Sequence, residues 1–299
     1  MRSTVAAATA TALLLSGCGA LAEDDDPGST AGGGQVVAAF YPLQYVADRV
    51  AGDGFDVQNL TSPGSEPHDL ELGVRETALV TDADLLLYVG GFQPAVDDAA
   101  AENTAASVLD VADVVGLLPF EEGEEDAGEV DPHFWHDPML MADLGDAVAE
   151  RMAEIDPANA DAYTGNAADL RDDLEALDQQ FADGLAECRI DTVVTNHDAV
   201  GYLAKYGLEL ESIAGISPDA EPTPAELAAL QDLIEQAGIT TVFSETLVSR
   251  ATAETLANDL GVDTAVLDTV EGLTDDTADE DYLSLMRSNL AALQEANGC

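Results

Sequence analysis

The sequence predicts an α/β protein made of two (β/α)4-like lobes with mostly parallel sheets, joined by one long linker helix. Three observations predict it. Short β-branched runs alternate with helical stretches from Val36 to Val111. The same alternation returns from Thr192 to the C-terminus. Between them, from Leu140 to about Glu187, there is helical periodicity and no strand signal.

Taken in order, residues 1–17 read as a lipoprotein signal peptide. Arg2 supplies the charged start, Val5 to Leu15 a short apolar stretch, and Leu15-Ser16-Gly17-Cys18 a small-residue cleavage site. The apolar stretch falls short of the roughly 20 residues that span a bilayer. Leu-Ser-Gly-Cys resembles the lipobox of bacterial lipoproteins, which implies cleavage before Cys18 and a lipid on its sulfur. An ordinary secretory signal is the alternative. Residues 18–34 are polar, rich in Asp and Gly, and without periodicity; they read as a flexible tether.

In the N-terminal lobe, residues 35–155, Val36 to Tyr41, Asp56 to Thr61, Leu85 to Val89 and Ser107 to Val111 read as strands. Leu43 to Ala51, Arg75 to Thr81 and Pro94 to Ala101 read as the helices between them. The linker helix, 156–187, opens with Asp156 as N-cap and Pro157 as its first residue. Tyr163, Leu170, Leu174, Leu177, Phe181 and Leu185 form its apolar stripe. At 1.5 Å per residue it is on the order of 45 Å long. In the C-terminal lobe, residues 188–299, the strands are Thr192 to Thr195, Leu208 to Ala214, Thr240 to Ser244 and Asp263 to Leu267. Ala199 to Tyr206, Pro224 to Ala237, Arg250 to Leu260 and Asp281 to Glu295 are its helices. Two such lobes create a cleft at the C-terminal ends of their strands, where open α/β sheets bind ligands.

Nine Lys+Arg stand against 60 Asp+Glu, a formal charge of −51, and Lys205 is the only lysine. No basic footprint exists, which excludes a nucleic-acid binder. With 46% hydrophobic residues the chain is not disordered, and the excess acid reads as a solvated surface. The run Glu121-Glu122-Gly123-Glu124-Glu125-Asp126 reads as a solvated loop, or as a weak concentrator of cations. With Cys18 used by the anchor, Cys188 and Cys299 remain, and outside the cytoplasm they are expected to form a disulfide.

Histidine is scarce: His68, His133, His136 and His197. All lie in Pro- or Asp-marked segments where predicted strands run out. Neutral imidazole is the commonest side-chain ligand of transition metals, so these segments suggest one metal site assembled across the chain. Asp268 ends the strand Thr264 to Leu267 and is a candidate for a fourth donor. Three imidazoles and a carboxylate suit four-coordinate Zn²⁺. His136, three residues after His133 in an extended loop, points elsewhere and reads as a hydrogen-bonding histidine or an accessory group. No short zinc motif such as HExxH is present.

Longer motifs surround the histidines. Ser65-Glu66-Pro67-His68-Asp69-Leu70-Glu71, Asp131-Pro132-His133-Phe134-Trp135 and Asn196-His197-Asp198-Ala199-Val200-Gly201-Tyr202-Leu203 follow one another in the chain. Between the last two lies Asp156-Pro157-Ala158-Asn159-Ala160 with Tyr163 and Asn166, and Leu267-Asp268 comes last. Together they resemble the zinc/manganese-specific solute-binding lipoproteins of bacterial ABC transporters (cluster A-I), over the whole mature chain. Val200 departs from the usual Phe, and the acidic run replaces a long His-rich loop found in many zinc members.

The resemblance implies His68, His133 and His197 as metal ligands, with Asp268 the fourth. Glu245, in Val242-Phe243-Ser244-Glu245, is implied as a partner orienting a ligand imidazole, and Trp135 and Tyr41 as packing around the site. It implies a monomeric, non-enzymatic lipoprotein on the outer face of the bacterial cytoplasmic membrane. Its cargo would be Zn²⁺, with Mn²⁺ the alternative, delivered to an ABC permease and its ATPase subunits. Manganese members often carry a carboxylate at the third histidine, so His197 favours zinc. Three other readings use the same ligands: a manganese- or iron-binding member, a secreted zinc hydrolase with Glu66 or Glu245 as base, and a metal-containing adhesin.

Overall fold

The structure is a computed structural model that describes residues 32, 34–103, 107–119, 130–218 and 220–299. The expected signal peptide, the lipid-bearing Cys18, nearly all of the tether and the acidic run Glu121 to Asp126 lie outside the described residues. From residue 31 onward the chain is one compact unit.

The first lobe runs β1 (Gln35–Ala38), α1 (Tyr41–Ala51), β2 (Asp56–Asn59), α2 (Val74–Asp82), β3 (Leu85–Tyr88), α3 (Pro94–Glu102) and β4 (Ser107–Asp110). All pairings are parallel and the order is β2-β1-β3-β4. The central strands β1 and β3 are buried almost throughout, as strands covered on both faces must be. A short antiparallel pair, β5 (Leu118–Pro119) with β6 (Val130–Asp131), follows. It was not expected from sequence, because two-residue strands carry no periodicity.

Two helices come next, α4 (Pro138–Ile155) and α5 (Ala160–Leu185). Asp137 caps α4 by accepting from the Met139 N–H at 2.9 Å. The expected start of the linker helix at Pro157 is corrected: Pro157–Asn159 forms a 3-10 turn and the α-helix begins at Ala160. The Asp156 carboxylate accepts from Asn159 Nδ2 and the Tyr163 hydroxyl. Every residue of the expected stripe on α5 is buried. That stripe packs against α4 and α1 of the first half and against α8 (Tyr282–Asn297) of the second.

The second lobe contains β7 (Thr192–Thr195), β8 (Glu209–Ser212), α6 (Pro224–Ala237), β9 (Thr241–Ser244), α7 (Ala251–Leu260) and β10 (Asp263–Val266), then α8. Its parallel order, β8-β7-β9-β10, repeats that of the first lobe. The helix expected over Ala199 to Tyr206 is instead a 3-10 helix, Gly201–Tyr206, ended by Gly207 at φ 87°. Pro224–Ala237 opens with a capping box between Thr223 and Glu226. Among the described residues no helix is long and apolar enough to cross a membrane.

Cys188 and Cys299 form the expected disulfide. The Arg189 and Ile190 N–H groups also donate to the Asn297 carbonyl, so the chain end is held beside the start of the second lobe. A bridge across 111 residues is worth roughly 4–5 kcal/mol in the chain-entropy model. The double variant Cys188→Ser/Cys299→Ser should therefore melt on the order of 10 °C lower by calorimetry. An unchanged midpoint would show that α8 packing holds the end without the bridge.

Candidate metal centre

Both sheets point their C-terminal strand ends toward one place. His197 follows β7 by two residues and Glu245 follows β9 directly, so the pair flanks the second lobe's switch point between β7 and β9. His68 lies in the loop after β2, and His133 immediately before the 3-10 turn Phe134–His136. Glu271 comes from the loop after β10.

His68, His133, His197 and Glu271 each present one donor atom, and the four atoms lie within 4.8 Å of one another. The Nε2 atoms of His68 and His133 are 3.3 Å apart. Glu271 Oε1 stands 3.5 Å from His68 Nε2, 3.4 Å from His133 Nε2 and 3.6 Å from His197 Nε2. The edge of a tetrahedron is 1.63 times its centre-to-vertex length, so bonds of about 2.0–2.1 Å to zinc give edges of about 3.3–3.4 Å. Four of the six edges, the three from Glu271 and that between His68 and His133, stand close to those values, and the two from His197 to the other imidazoles lie within 4.8 Å.

Asp268, expected as the fourth donor, does not join this group. Its carboxylate is buried and committed elsewhere: one oxygen accepts from the Val270 N–H at 2.7 Å, the other from the Thr246 hydroxyl at 3.1 Å. Asn289 bonds its backbone on both sides, donating to the Asp268 carbonyl and accepting from its N–H. Asp268 shapes a turn, and the turn presents Glu271 in its place. Val270 sits in that turn at φ 58°, the left-handed region that β-branched residues avoid, and it is the sole such non-glycine among the described residues.

The imidazoles are oriented from behind. His133 Nδ1 meets Asp131 Oδ1 at 2.7 Å, and the same oxygen accepts the His133 N–H. His197 Nδ1 meets Glu245 Oε1 at 2.6 Å, which likewise accepts the His197 N–H. A carboxylate on Nδ1 leaves Nε2 free to face the centre. Glu245 thus takes the orienting place expected of it. Trp135 and Phe40 pack around the site with ring centroids 5.0 Å apart, and Phe92 stands edge-on to His68 at 4.6 Å. The Trp135 indole N–H donates to the Thr269 carbonyl at 2.8 Å, and Trp135's own carbonyl accepts from the Tyr282 hydroxyl. Tyr41 is also buried nearby in sequence to Phe40, at the start of α1. His136 is fully buried but stands outside the cluster, its ring against Trp135.

Burial decides the charges. It opposes protonation of His133 and His197, but Asp131 and Glu271 raise His133 to about 9, and Glu245 and Glu271 raise His197 to about 10. Burial would raise Glu271, yet its contacts with His133, His197 and His68 hold it well below the usual carboxylate range. Burial depresses His68, and drives His136 down to about 3 with help from His133. Glu66 is pushed up to about 8 by burial and by Glu271; its Oε1 lies 4.0 Å from His68 Nε2. Of the four donors only His68 keeps any exposure, and a cleft of about 430 Å³ lined by His68, Phe92, Pro132 and Ile216 opens beside it.

The fold and the cluster define a two-lobed α/β protein built around a buried four-donor candidate metal centre. The chain belongs to the family of the zinc-uptake complex component A, periplasmic (ZnuA), whose model matches residues 36–296. It is 35% identical over 276 residues to the zinc-binding lipoprotein AdcA of Streptococcus pneumoniae, covering 87% of this chain and 55% of that one. It therefore spans about half the length of that relative. It is 31% identical over 299 residues to the high-affinity zinc uptake system protein ZnuA of Bacillus subtilis, covering 95% and 94%. Among solved structures, the laminin-binding protein Lmb of Streptococcus agalactiae, a bifunctional protein with adhesin and metal transporting activity, matches with TM-score 0.78 and 29% identity. That match covers 88% of this chain and 98% of Lmb.

Metal ligation needs neutral imidazoles, and the carboxylates beside His133 and His197 raise them to about 9 and about 10, so each ring would have to lose a proton on binding at neutral pH. Binding at pH 7.5 should release about two protons, and affinity should fall by roughly 100-fold per pH unit on acidification toward pH 6.5. Calorimetric titration in buffers of different ionisation enthalpy counts these protons. A count of zero would contradict the charge assignment.

Proposed function

We propose that this chain is an extracytoplasmic solute-binding lipoprotein that captures one Zn²⁺ ion between His68, His133, His197 and Glu271 and passes it to an ABC permease with its ATPase subunits. The observation that carries the reading is the convergence of three imidazole nitrogens and one carboxylate oxygen within 4.8 Å, with the carboxylate 3.4–3.6 Å from each nitrogen. Three nitrogen donors favour zinc over manganese, which prefers six oxygen-rich ligands. The zinc names borne by the AdcA and ZnuA relatives support the same cargo.

The membrane anchor is part of the proposal. It rests on the Leu15-Ser16-Gly17-Cys18 pattern and on relatives described as lipoproteins. A disulfide between Cys188 and Cys299 fits the same oxidising compartment. We take the lobes as residues 35–155 and 188–299, with 156–187 the linker between them. A catalytic zinc keeps an open position for water; four protein donors around one ion leave none, so we read the chain as a carrier and not an enzyme.

The likeness to Lmb supports a second reading, an adhesin in which the metal is structural. The two differ in what metal removal does. A carrier stays folded without its cargo, whereas a structural site unfolds with chelation.

Competitive loading of the metal-free protein with Zn, Mn, Fe and Cu, read by elemental analysis, should return one zinc per chain wherever copper is withheld. His197→Ala or Glu271→Ala should cost more than about 100-fold in zinc affinity, and Glu245→Gln about 10–100-fold. His136→Ala should lower the melting temperature by leaving a cavity, with affinity held within a few fold. Equal affinity losses at His136 and His197 would overturn the ligand set.

A further inference from the structure

The two oxygens of Glu271 are not equivalent. Oε1 faces the three imidazoles at 3.4–3.6 Å. Oε2 instead accepts a hydrogen bond from the Thr269 hydroxyl at 3.2 Å. Thr269 is itself buried, and its carbonyl is fixed by the Trp135 indole N–H at 2.8 Å. Across Thr269, from one residue before it to one after, the Asp268 carboxylate accepts the Val270 N–H and holds the left-handed turn in place. The hydroxyl therefore has little freedom to leave Oε2, and Oε2 has no solvent to turn toward, since Glu271 is fully buried.

We propose that Thr269 is a positioning residue that fixes Glu271 as a one-oxygen ligand and so sets the coordination number, and with it the metal selectivity, of the site. Held by the hydroxyl, Oε2 stays off the ion; three nitrogens and Oε1 then make four donors, the number zinc prefers. Without that hydrogen bond the buried Oε2 has one remaining source of compensation, the ion itself. A carboxylate binding through both oxygens supplies a fifth donor and a harder ligand set, which suits manganese better. The inference rests on the reading of this cluster as a metal-cargo site.

The test uses Thr269→Val, which keeps the side-chain shape and removes the hydroxyl, and Thr269→Ser, which keeps the hydroxyl. Full-length metal-free protein is loaded with Co²⁺, whose visible absorption is strong when four-coordinate and weak at higher coordination. Wild type and Thr269→Ser should give the strong spectrum and Thr269→Val the weaker one. In Zn²⁺/Mn²⁺ competition, Thr269→Val should shift the affinity ratio toward manganese by about 10-fold or more, in the range of other changes behind a ligand. A change in packing alone would move the melting temperature without moving the spectrum. If Thr269→Val does not fold, Thr269→Ala carries the same comparison. An unchanged cobalt spectrum and an unchanged Zn/Mn ratio in the folded variant would overturn the proposal. Failure of the metal-site reading looks different: wild-type protein would then take up neither zinc nor cobalt.

Discussion

A fully buried carboxylate has to be compensated, and the charge on Glu271 organises the centre of this molecule. Its Oε1 stands within 3.6 Å of three imidazole nitrogens contributed by both lobes. The carboxylates beside His133 and His197 raise both rings, and the three imidazoles in turn hold Glu271 well below the usual carboxylate range. On the proposed reading, a bound ion would replace the protons that these shifts favour. Asp131 and Glu245 then serve both states: each holds an Nδ1–H, so the rings keep their orientation while Nε2 changes its partner from proton to ion.

The rest of the fold keeps these groups from drifting. Two sheets of the same strand order bring their C-terminal ends together, and the apolar face of α5 fastens to α1, α4 and α8. Contacts around the centre cross from one half of the chain to the other. Trp135 reaches Thr269, Tyr282 reaches Trp135, and the Tyr202 hydroxyl donates to the Asp131 carbonyl at 2.8 Å. The first and last tie a segment next to one donor to a segment next to another, and the second ties the His133 segment to the start of α8. Lys205, the only lysine, adds a charged tie, bonding Asp137 at 2.6 Å and Asp178 at 2.8 Å. In so acidic a chain these carboxylates have few cations to choose from.

Most of this was legible in the sequence, for reasons that also explain the failures. Parallel strands buried on both faces announce themselves as apolar runs, and the stripe of α5 has a clear helical period, so both lobes and the helix between them could be placed. The three histidines were legible because scarcity makes each one conspicuous and each sits just past a strand or turn marker. Glu271 had neither advantage. It is one acid among 60, three residues beyond the strand-end Asp268 that strand-end logic selects. What separates the two is a turn made by the Asp268 side chain itself and a left-handed Val270, a conformation that a β-branched residue argues against. Nor does the context of Glu271 single it out, since acids between apolar neighbours recur along the chain, as in Leu70-Glu71-Leu72 and Leu109-Asp110-Val111. The 3-10 geometry of Gly201–Tyr206 was missed for a related reason: apolar spacing over six residues does not distinguish it from an α-helix.

The proton-for-metal exchange bears on what kind of site this is. A structural zinc site collapses when emptied, because its ligands repel or lie unsatisfied and nothing else binds them together. Here Glu271 faces His133 and His197, whose affinity for protons its charge raises, and both rings are tied to Asp131 and Glu245 at Nδ1. On the proposed carrier reading these ties would hold the cluster with or without the ion, and the free energy of binding would not be spent on folding the lobes. It also follows that acid favours the emptied state, since each proton gained stabilises the same anion that the metal had neutralised. Such a site would fill and empty without loss of the fold around it, as the proposed carriage of an ion requires.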